Sequence, residues 1–207
     1  MTDDHADPGS RFSAEEDVSK SAEAPTSGSR LDRICAQFIR GRQSGRATLG
    51  TRESAALRRY DPKSPSRSMS AIVPVLMRAE VYPVDDDEWR RWGEVLRMIA
   101  LLSGTGGRRV HSTAASAAAG RMLFNARFSE NRLARLLTAR GSTLGDQLPR
   151  LARYLAASGS VPINLHPIVD MVMKDGRDEA GAEAARIRLA REYYQAATKP
   201  AIETKAS

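Results

Sequence analysis

The sequence predicts an all-α protein, built as a helical bundle of about eight or nine helices. Apolar residues recur at helical spacing in several stretches, most clearly at Trp89, Trp92, Leu96, Ile99 and Leu102. No stretch shows the strict alternation of apolar and polar residues that is typical of a half-buried strand. At 207 residues, the chain is long enough to bury a substantial core.

The two ends of the chain differ from its middle. Residues 1–28 carry seven acidic and two basic residues, so the remainder of a chain with a net charge of +7 carries +12. This acidic, polar composition buries too little apolar surface to offset the entropy lost on ordering. We therefore predict a disordered N-terminal extension over residues 1–29 and a flexible tail over residues 199–207.

Residues 30–103 form a predicted N-terminal helical lobe. Cys35 falls among apolar residues at helical spacing, so we expect a buried, unreactive thiol. Pro74 limits residues 70–78 to one helix starting near Ser70 or to an irregular stretch, because proline lacks the N–H that a helix interior uses. Acidic residues at the start of the fourth helix suit the positive end of its dipole. The four predicted helices span residues 31–40, 51–59, 70–78 and 87–103.

A basic, glycine-rich loop at residues 104–112 separates this lobe from a predicted C-terminal helical lobe at 113–198. The loop carries Arg108 and Arg109 and lacks the GxxxxGK[ST] pattern of a nucleotide-binding loop. The predicted helices of the second lobe span residues 113–125, 129–140, 146–155, 164–173 and 178–197.

Two consecutive helices in this second lobe bear arginines. We expect Ser129 to cap the first of them, Gly141 to end it, Asp146 to cap the second, and Pro149 to lie in the second helix's first turn. Asn164 is the predicted cap of the helix that follows. The pair carries Arg132, Arg135, Arg140, Arg150 and Arg153 away from its leucine stripes. One interpretation is a pair of solvated helix faces, and the other is a surface that binds a polyanion.

A domain this basic favours nucleic acid or another acidic partner, and arginine suits bidentate phosphate contacts. No arrangement of residues predicts catalysis, so we expect a protein that is not an enzyme. His5, His111 and His166 are scattered along the chain, so no metal site and no cofactor are expected. The absence of a long apolar run argues against a membrane span, and a single cysteine fits the cytoplasm.

Features in order from Leu31 to Ala197 resemble those of the CasB family, the small subunit of the type I-E CRISPR surveillance complex Cascade. The stretches that carry the resemblance are RATLGTRESAALRR, AIVPVLMR, EWRRWGEVLRMIALLSG, AAGRMLFNARFSENRLARLLTARGSTLGDQLPRLARYLAASG, PINLHPIVDMVMKDG and RIRLAREYYQ. None of these motifs is specific by itself, so the resemblance rests on their order.

The resemblance implies an all-helical, non-catalytic subunit, present in Cascade as two copies beside the guide-binding backbone subunits and the large subunit. It also implies contacts with crRNA, target DNA and the displaced DNA strand of the R-loop. By position, the candidate nucleic-acid-binding residues are Arg90, Arg91, Arg108, Arg109, Arg132 and Arg135, followed by Arg52, Arg121, Arg140, Arg150 and Arg177. Each of them could instead bind an acidic partner subunit.

Two other functions stay open from the sequence. A stand-alone helical DNA-binding regulator would need a recognition helix that reaches base edges. An enzyme or adaptor outside nucleic-acid biology is the third possibility.

Overall fold

The computed structural model of the protein describes residues 27–39, 49–104 and 108–198. Over these residues it contains nine α-helices and no strand, so the predicted all-α class is confirmed. The helices are α1 (Ser27–Ala36), α2 (Thr51–Arg58), α3 (Ser66–Arg78), α4 (Asp86–Ser103), α5 (Ala119–Asn125), α6 (Glu130–Thr138), α7 (Gly141–Ala157), α8 (His166–Lys174) and α9 (Glu179–Thr198). The predictions for residues 1–26, 40–48, 105–107 and 199–207 lie outside the described residues.

Helix α4 is the element against which α2, α7 and α8 pack. Asp85 caps it, because one carboxylate oxygen accepts a hydrogen bond from the backbone N–H of Glu88 at 2.8 Å. Leu96 and Ile99 are fully buried. Trp92 is also buried, which confirms its predicted place in the core.

The hydrophobic core is continuous from Leu31 on α1 to Tyr193 on α9. Helix α4 closes the predicted N-terminal lobe and packs on α7 and α8 of the predicted C-terminal lobe. The division into two lobes stays a prediction. Cys35 is buried as expected, and burial, together with the nearby Asp32, raises the pKa of its thiol.

The second helix of the arginine-bearing pair begins earlier than predicted. Instead of starting at Asp146, α7 begins at Gly141 and holds Pro149 well inside it. The Asp175 carboxylate accepts a hydrogen bond from Gly141 N at 2.6 Å, and Leu144 is buried, so the additional turn is both capped and packed. Gly141 was also expected to end the first helix; with φ +51° it forms the turn between α6 and α7 instead.

Helix α3 departs from its prediction in the same way. It begins at Ser66 rather than near Ser70 and includes Pro74 in its interior. Proline removes one helical hydrogen bond. Ile72 and Val75 are fully buried on either side of it, so tertiary packing compensates for the lost bond.

The helix predicted over residues 113–125 is broken into two pieces. A short 3₁₀ helix, Ala115–Ala117, is followed by extended backbone at Ala118, with φ −49° and ψ 127°, and then by α5. The carbonyl of Ala117 accepts a hydrogen bond from Asn164 N at 2.7 Å. That carbonyl therefore serves the segment before α8 and does not continue a helix.

The two predicted caps differ from expectation in opposite ways: one has the predicted position without the hydrogen bond, and the other has the hydrogen bond from one position earlier. Ser129 occupies the N-cap position of α6, yet its hydroxyl makes no capping hydrogen bond. Asn164 precedes the N-cap of α8, which is Leu165; its side-chain oxygen accepts a hydrogen bond from His166 N at 3.1 Å. In both cases the side chain lies near the helix start, but the backbone sets the boundary.

Candidate nucleic-acid interface

A groove between α6 and α7 collects arginine side chains from both helices. Leu133 is fully buried on the inner side of α6, which turns Arg132 and Arg135 outward. Arg150 faces the same groove from α7. The cavity has a volume of about 370 Å³. We call it the α6–α7 groove, and its lining residues are Phe128, Arg132, Arg135, Leu136, Gln147, Arg150, Leu151 and Tyr154.

The floor of the α6–α7 groove is aromatic. The Tyr154 hydroxyl donates hydrogen bonds to the carbonyls of Ala126, at 2.7 Å, and Arg127, at 2.8 Å, which fixes its ring. The Phe128 ring meets the Tyr154 ring edge to face, with centres 5.2 Å apart. The Arg132 guanidinium lies 5.1 Å from the centre of the Tyr154 ring, within the range of a cation–π contact. One of the three groove cations is therefore held in place by a ring.

No carboxylate of the described residues lies close enough to neutralise the positive charge of the groove. Arg132, Arg135 and Arg150 are exposed. Within the described parts of the chain, none of them has a carboxylate at ion-pair distance, whereas arginines elsewhere do. Three guanidinium groups with free donors on one apolar, aromatic floor can bind phosphate oxygens and leave room for a sugar or a base edge.

Two other candidate arginines are committed to acidic partners on α4. Arg90 bridges Asp87, at 2.6 Å, and Glu94, at 2.8 Å. Arg91 is buried; it contacts Asp87 at 2.7 Å and donates a hydrogen bond to the carbonyl of Val172 on α8. Partial burial acts to raise the pKa of Asp87, but the hydrogen bonds from Arg90 and Arg91 outweigh it and lower that pKa to about 2. Arg90 is therefore held by its own helix, and Arg91 joins α4 to α8.

Arg140 and Arg177 are also paired with acids. The Arg140 guanidinium lies 3.4 Å from Glu183, and its other donors bind the carbonyls that end α6. Arg177 contacts Asp85 at 2.5 Å, which ties the turn after α8 to the start of α4. Both side chains are more than one third exposed, so these ion pairs contribute little stability, yet they reduce the charge available to a ligand.

The remaining candidates are exposed but dispersed. Arg108 donates hydrogen bonds to the carbonyls of Leu102, at 3.2 Å, and Ala156, at 3.1 Å, so it is held against the last turn of α7. Arg109 donates to a carbonyl two residues further on, at 3.0 Å. Arg52 lies in the first turn of α2 and Arg121 lies on α5. The structure thus brings three of the eleven candidates into one groove and places the other eight elsewhere.

Sequence reasoning missed the aromatic floor of the groove. Tyr154 follows Arg150 by four residues, so the two share a face of α7. This spacing in the sequence is sufficient to predict that Tyr154 lies beside Arg150. Arg127 has φ +60°, an uncommon conformation for a residue other than glycine, and it turns the chain between α5 and α6. No sequence signal indicates that this turn places Phe128 against Tyr154.

The prediction that the histidines are too scattered to cluster is wrong for two of them. In the described residues, a parallel β-bridge joins His111 to Ile163, which brings the end of the glycine-rich loop beside the start of α8. His111 and His166 thereby meet, together with Asp32 from α1. The residues are far apart along the chain, so spacing does not reveal the cluster.

Fold and groove together define an all-helical protein with a compact set of guanidinium groups that no carboxylate of the described residues pairs with. The sequence model of the family CRISPR-associated protein Cse2 matches residues 53–194, which is more than half of the chain. The chain belongs to this family, the CasB or Cse2 subunit of type I-E Cascade, as the sequence resemblance implies. The matched region contains the whole α6–α7 groove.

The other comparisons add no relative. No curated protein and no solved structure matches this chain. None of the helices in the described ranges is long and apolar enough to cross a membrane.

Proposed function

We propose that this Cascade subunit grips nucleic-acid backbone through the α6–α7 groove, without reading sequence and without catalysing a reaction. It thereby stabilises the hybrid of crRNA and target DNA and the displaced DNA strand of the R-loop. One observation carries the proposal: Arg132, Arg135 and Arg150 share a groove in which no described carboxylate neutralises them.

The chemistry of the groove favours backbone over bases. Hydrogen bonds to phosphate fix position but carry no sequence information. The flat ring of Tyr154 accepts any base or sugar face, because stacking is tolerant of sequence. A subunit of a guide-directed complex has to act in this way, since pairing with the guide already reads the sequence.

Modest contacts of this kind are sufficient for the role. Forming the guide–target hybrid replaces one duplex by another of similar stability, so protein contacts to the backbone can tip the exchange. Each additional phosphate held by an arginine adds to the stability of the open state.

The partners follow from membership of Cascade. The subunit acts in the cytoplasm beside the guide-binding backbone subunits and the large subunit, next to a second copy of itself. The candidates in acid pairs, such as Arg91 and Arg177, maintain the contacts between helices. The exposed Arg52, Arg108, Arg109 and Arg121 provide weaker contacts to strands or to acidic surfaces of neighbouring subunits.

Fluorescence anisotropy with two unrelated oligonucleotides, each as a single strand and as a duplex, tests the proposal on the isolated protein. The test variant carries Arg132→Ala, Arg135→Ala and Arg150→Ala. A matched control carries Arg59→Ala, Arg67→Ala and Arg191→Ala, which removes the same charge from exposed positions on other surfaces. Both variants keep the buried residues unchanged.

We expect the groove variant to bind all four ligands about tenfold more weakly or worse, with a salt slope lower by about two to three, roughly 0.7 to 0.9 for each lost phosphate contact. The control should retain most of its affinity. Equal losses of affinity in the two variants would mean that the net positive charge of the protein, and not the groove, accounts for the binding. A strong preference of the unmodified protein for one sequence would favour a DNA-binding regulator.

A further inference from the structure

A second cluster of chemically active side chains lies away from the α6–α7 groove, where three chain segments meet. Asp32 comes from α1, His111 from the end of the glycine-rich loop, and His166 from the first residue of α8. One nitrogen or oxygen atom from each lies within 4.8 Å of the other two. The two imidazole rings are nearly perpendicular, with their centres 4.9 Å apart.

The His111 ring is fixed but incompletely bonded. It is 5% exposed, and its Nδ1 lies 3.1 Å from Leu165 N and 3.3 Å from the carbonyl oxygen of Ile163; Nδ1 accepts a hydrogen bond from the first in one tautomer and donates to the second in the other. Its Nε2 lies 3.2 Å from an Asp32 carboxylate oxygen, yet the two are not aligned for a hydrogen bond. This nitrogen is therefore buried without a hydrogen-bond partner, and such atoms are uncommon and costly in folded proteins.

We propose that Asp32, His111 and His166 bind a divalent transition-metal cation of the Zn²⁺ type, with His111 Nε2 as the buried ligand. Two imidazoles and one carboxylate are a ligand set that Zn²⁺ uses, with water in the fourth position. Mg²⁺ and Ca²⁺ prefer oxygen ligands only, so two ring nitrogens disfavour them.

The distances are close to those that such a cation needs. Zn–N and Zn–O bonds of about 2.0–2.2 Å place the atoms of a tetrahedral set roughly 3.3–3.6 Å apart. The contact between His111 and Asp32 already falls near that range. Asp32 is exposed and His166 is half-buried, so a small side-chain rotation suffices to close the set.

The surroundings of His111 suit a metal ligand in one further respect. Binding of metal through Nε2 leaves the ring proton on Nδ1, and the carbonyl of Ile163, which lies 3.3 Å from Nδ1, can accept that proton in a hydrogen bond. Carbonyls of this kind commonly orient metal-bound histidines.

Bound metal would clip three segments together. Helix α1 makes few contacts with α8, and α1 supplies Asp32 as one of the three proposed metal ligands. Coordination would therefore fasten α1 to the start of α8 and to the end of the glycine-rich loop, and it would raise the thermal stability of the whole chain.

Titration of the full-length, chelator-treated protein with Zn²⁺, followed by calorimetry and thermal melting, tests this site. Co²⁺ serves as a second probe, because its visible absorption reports tetrahedral coordination by nitrogen and oxygen. The test variants are His166→Ala and Asp32→Asn, both at accessible positions, and the matched control is Asp146→Asn, which removes an exposed carboxylate on α7 outside the cluster.

We expect one Zn²⁺ per chain, a higher melting temperature with metal, and a Kd at least about tenfold weaker in each test variant but unchanged in the control. Without metal, the test variants should melt close to the unmodified protein, which separates loss of a ligand from loss of the fold. The proposal is overturned if the unmodified protein does not bind Zn²⁺, or if the test variants bind as tightly as the control. The outcome of this titration does not depend on whether the α6–α7 groove binds nucleic acid.

Discussion

Arg132 and Arg91 carry the same charge and meet opposite surroundings. Arg132 is exposed over the ring of Tyr154, while Arg91 is buried and held by Asp87. The ion pair between Arg91 and Asp87 could have been predicted, because Asp87 precedes Arg91 by four residues and residues at this spacing share a helix face. The pairing of Arg177 with Asp85 could not, since 92 residues separate them.

The ion pairs that Asp87 makes with Arg90 and Arg91 on α4 make the stability of the fold depend on pH. The pKa of Asp87 is about 2 in the folded chain, below an ordinary value near 3.9. A lowered pKa stabilises the fold above about pH 4, and this contribution is lost as the pH falls towards about 2.

Asp87→Asn should therefore lower the free energy of unfolding at pH 7 by about 1–3 kcal/mol, because buried Arg91 loses a hydrogen-bond partner. It should also flatten the dependence of stability on pH between about 4 and 2. Urea unfolding at several pH values measures both effects. Asp86→Asn, an exposed neighbour, is the control. If the free energy of unfolding fell as steeply with decreasing pH in Asp87→Asn as in the unmodified chain, groups other than Asp87 would be responsible for that decrease.

For single helices, the sequence was sufficient to predict that a segment is helical, but not the residues at which the helix begins and ends. The spacing of apolar residues identifies α4 and α9 because both follow helical periodicity over many residues. Proline led to wrong starts for α3 and α7, where buried side chains compensate for the lost hydrogen bond. The break before α5 depends on a hydrogen bond from Asn164, which no local pattern indicates.

The pairing of α5 with α9 depends on one glycine. A Cβ atom added at Gly120 would lie 2.2 Å from the carbonyl oxygen of Leu189 and 2.4 Å from Tyr193 N, both of them backbone atoms. The two helices would have to separate. Gly120 N also donates a hydrogen bond to Glu192 at 3.1 Å, which the separation would lengthen.

Gly120→Ala should lower the free energy of unfolding by about 1–3 kcal/mol, the usual cost of overpacking, despite the better helix propensity of alanine. Asn125→Ala, at an exposed position on the same helix, should change it by less than about 0.5 kcal/mol. Chemical denaturation of the two variants provides the comparison. A Gly120→Ala protein as stable as Asn125→Ala would mean that α5 and α9 tolerate a wider spacing.

At the scale of the whole molecule, the sequence predicts an all-helical basic body but not the place where its charge is free. Composition indicates a polyanion partner, and the order of motifs indicates the family. Which arginines remain unpaired depends on contacts between distant helices, such as the one between Arg140 and Glu183. The distribution of acidic partners, more than the number of arginines, therefore defines the groove.

The central claim is that the free arginines of the α6–α7 groove stabilise the R-loop without reading its sequence. The most direct measurement is R-loop lifetime in Cascade reconstituted with the groove variant Arg132→Ala, Arg135→Ala, Arg150→Ala, on two unrelated guide–target pairs. We expect both R-loops to shorten in lifetime by a similar factor, while the matched control Arg59→Ala, Arg67→Ala, Arg191→Ala has little effect. Unchanged lifetimes in a fully assembled complex, or a loss confined to one sequence, would contradict it.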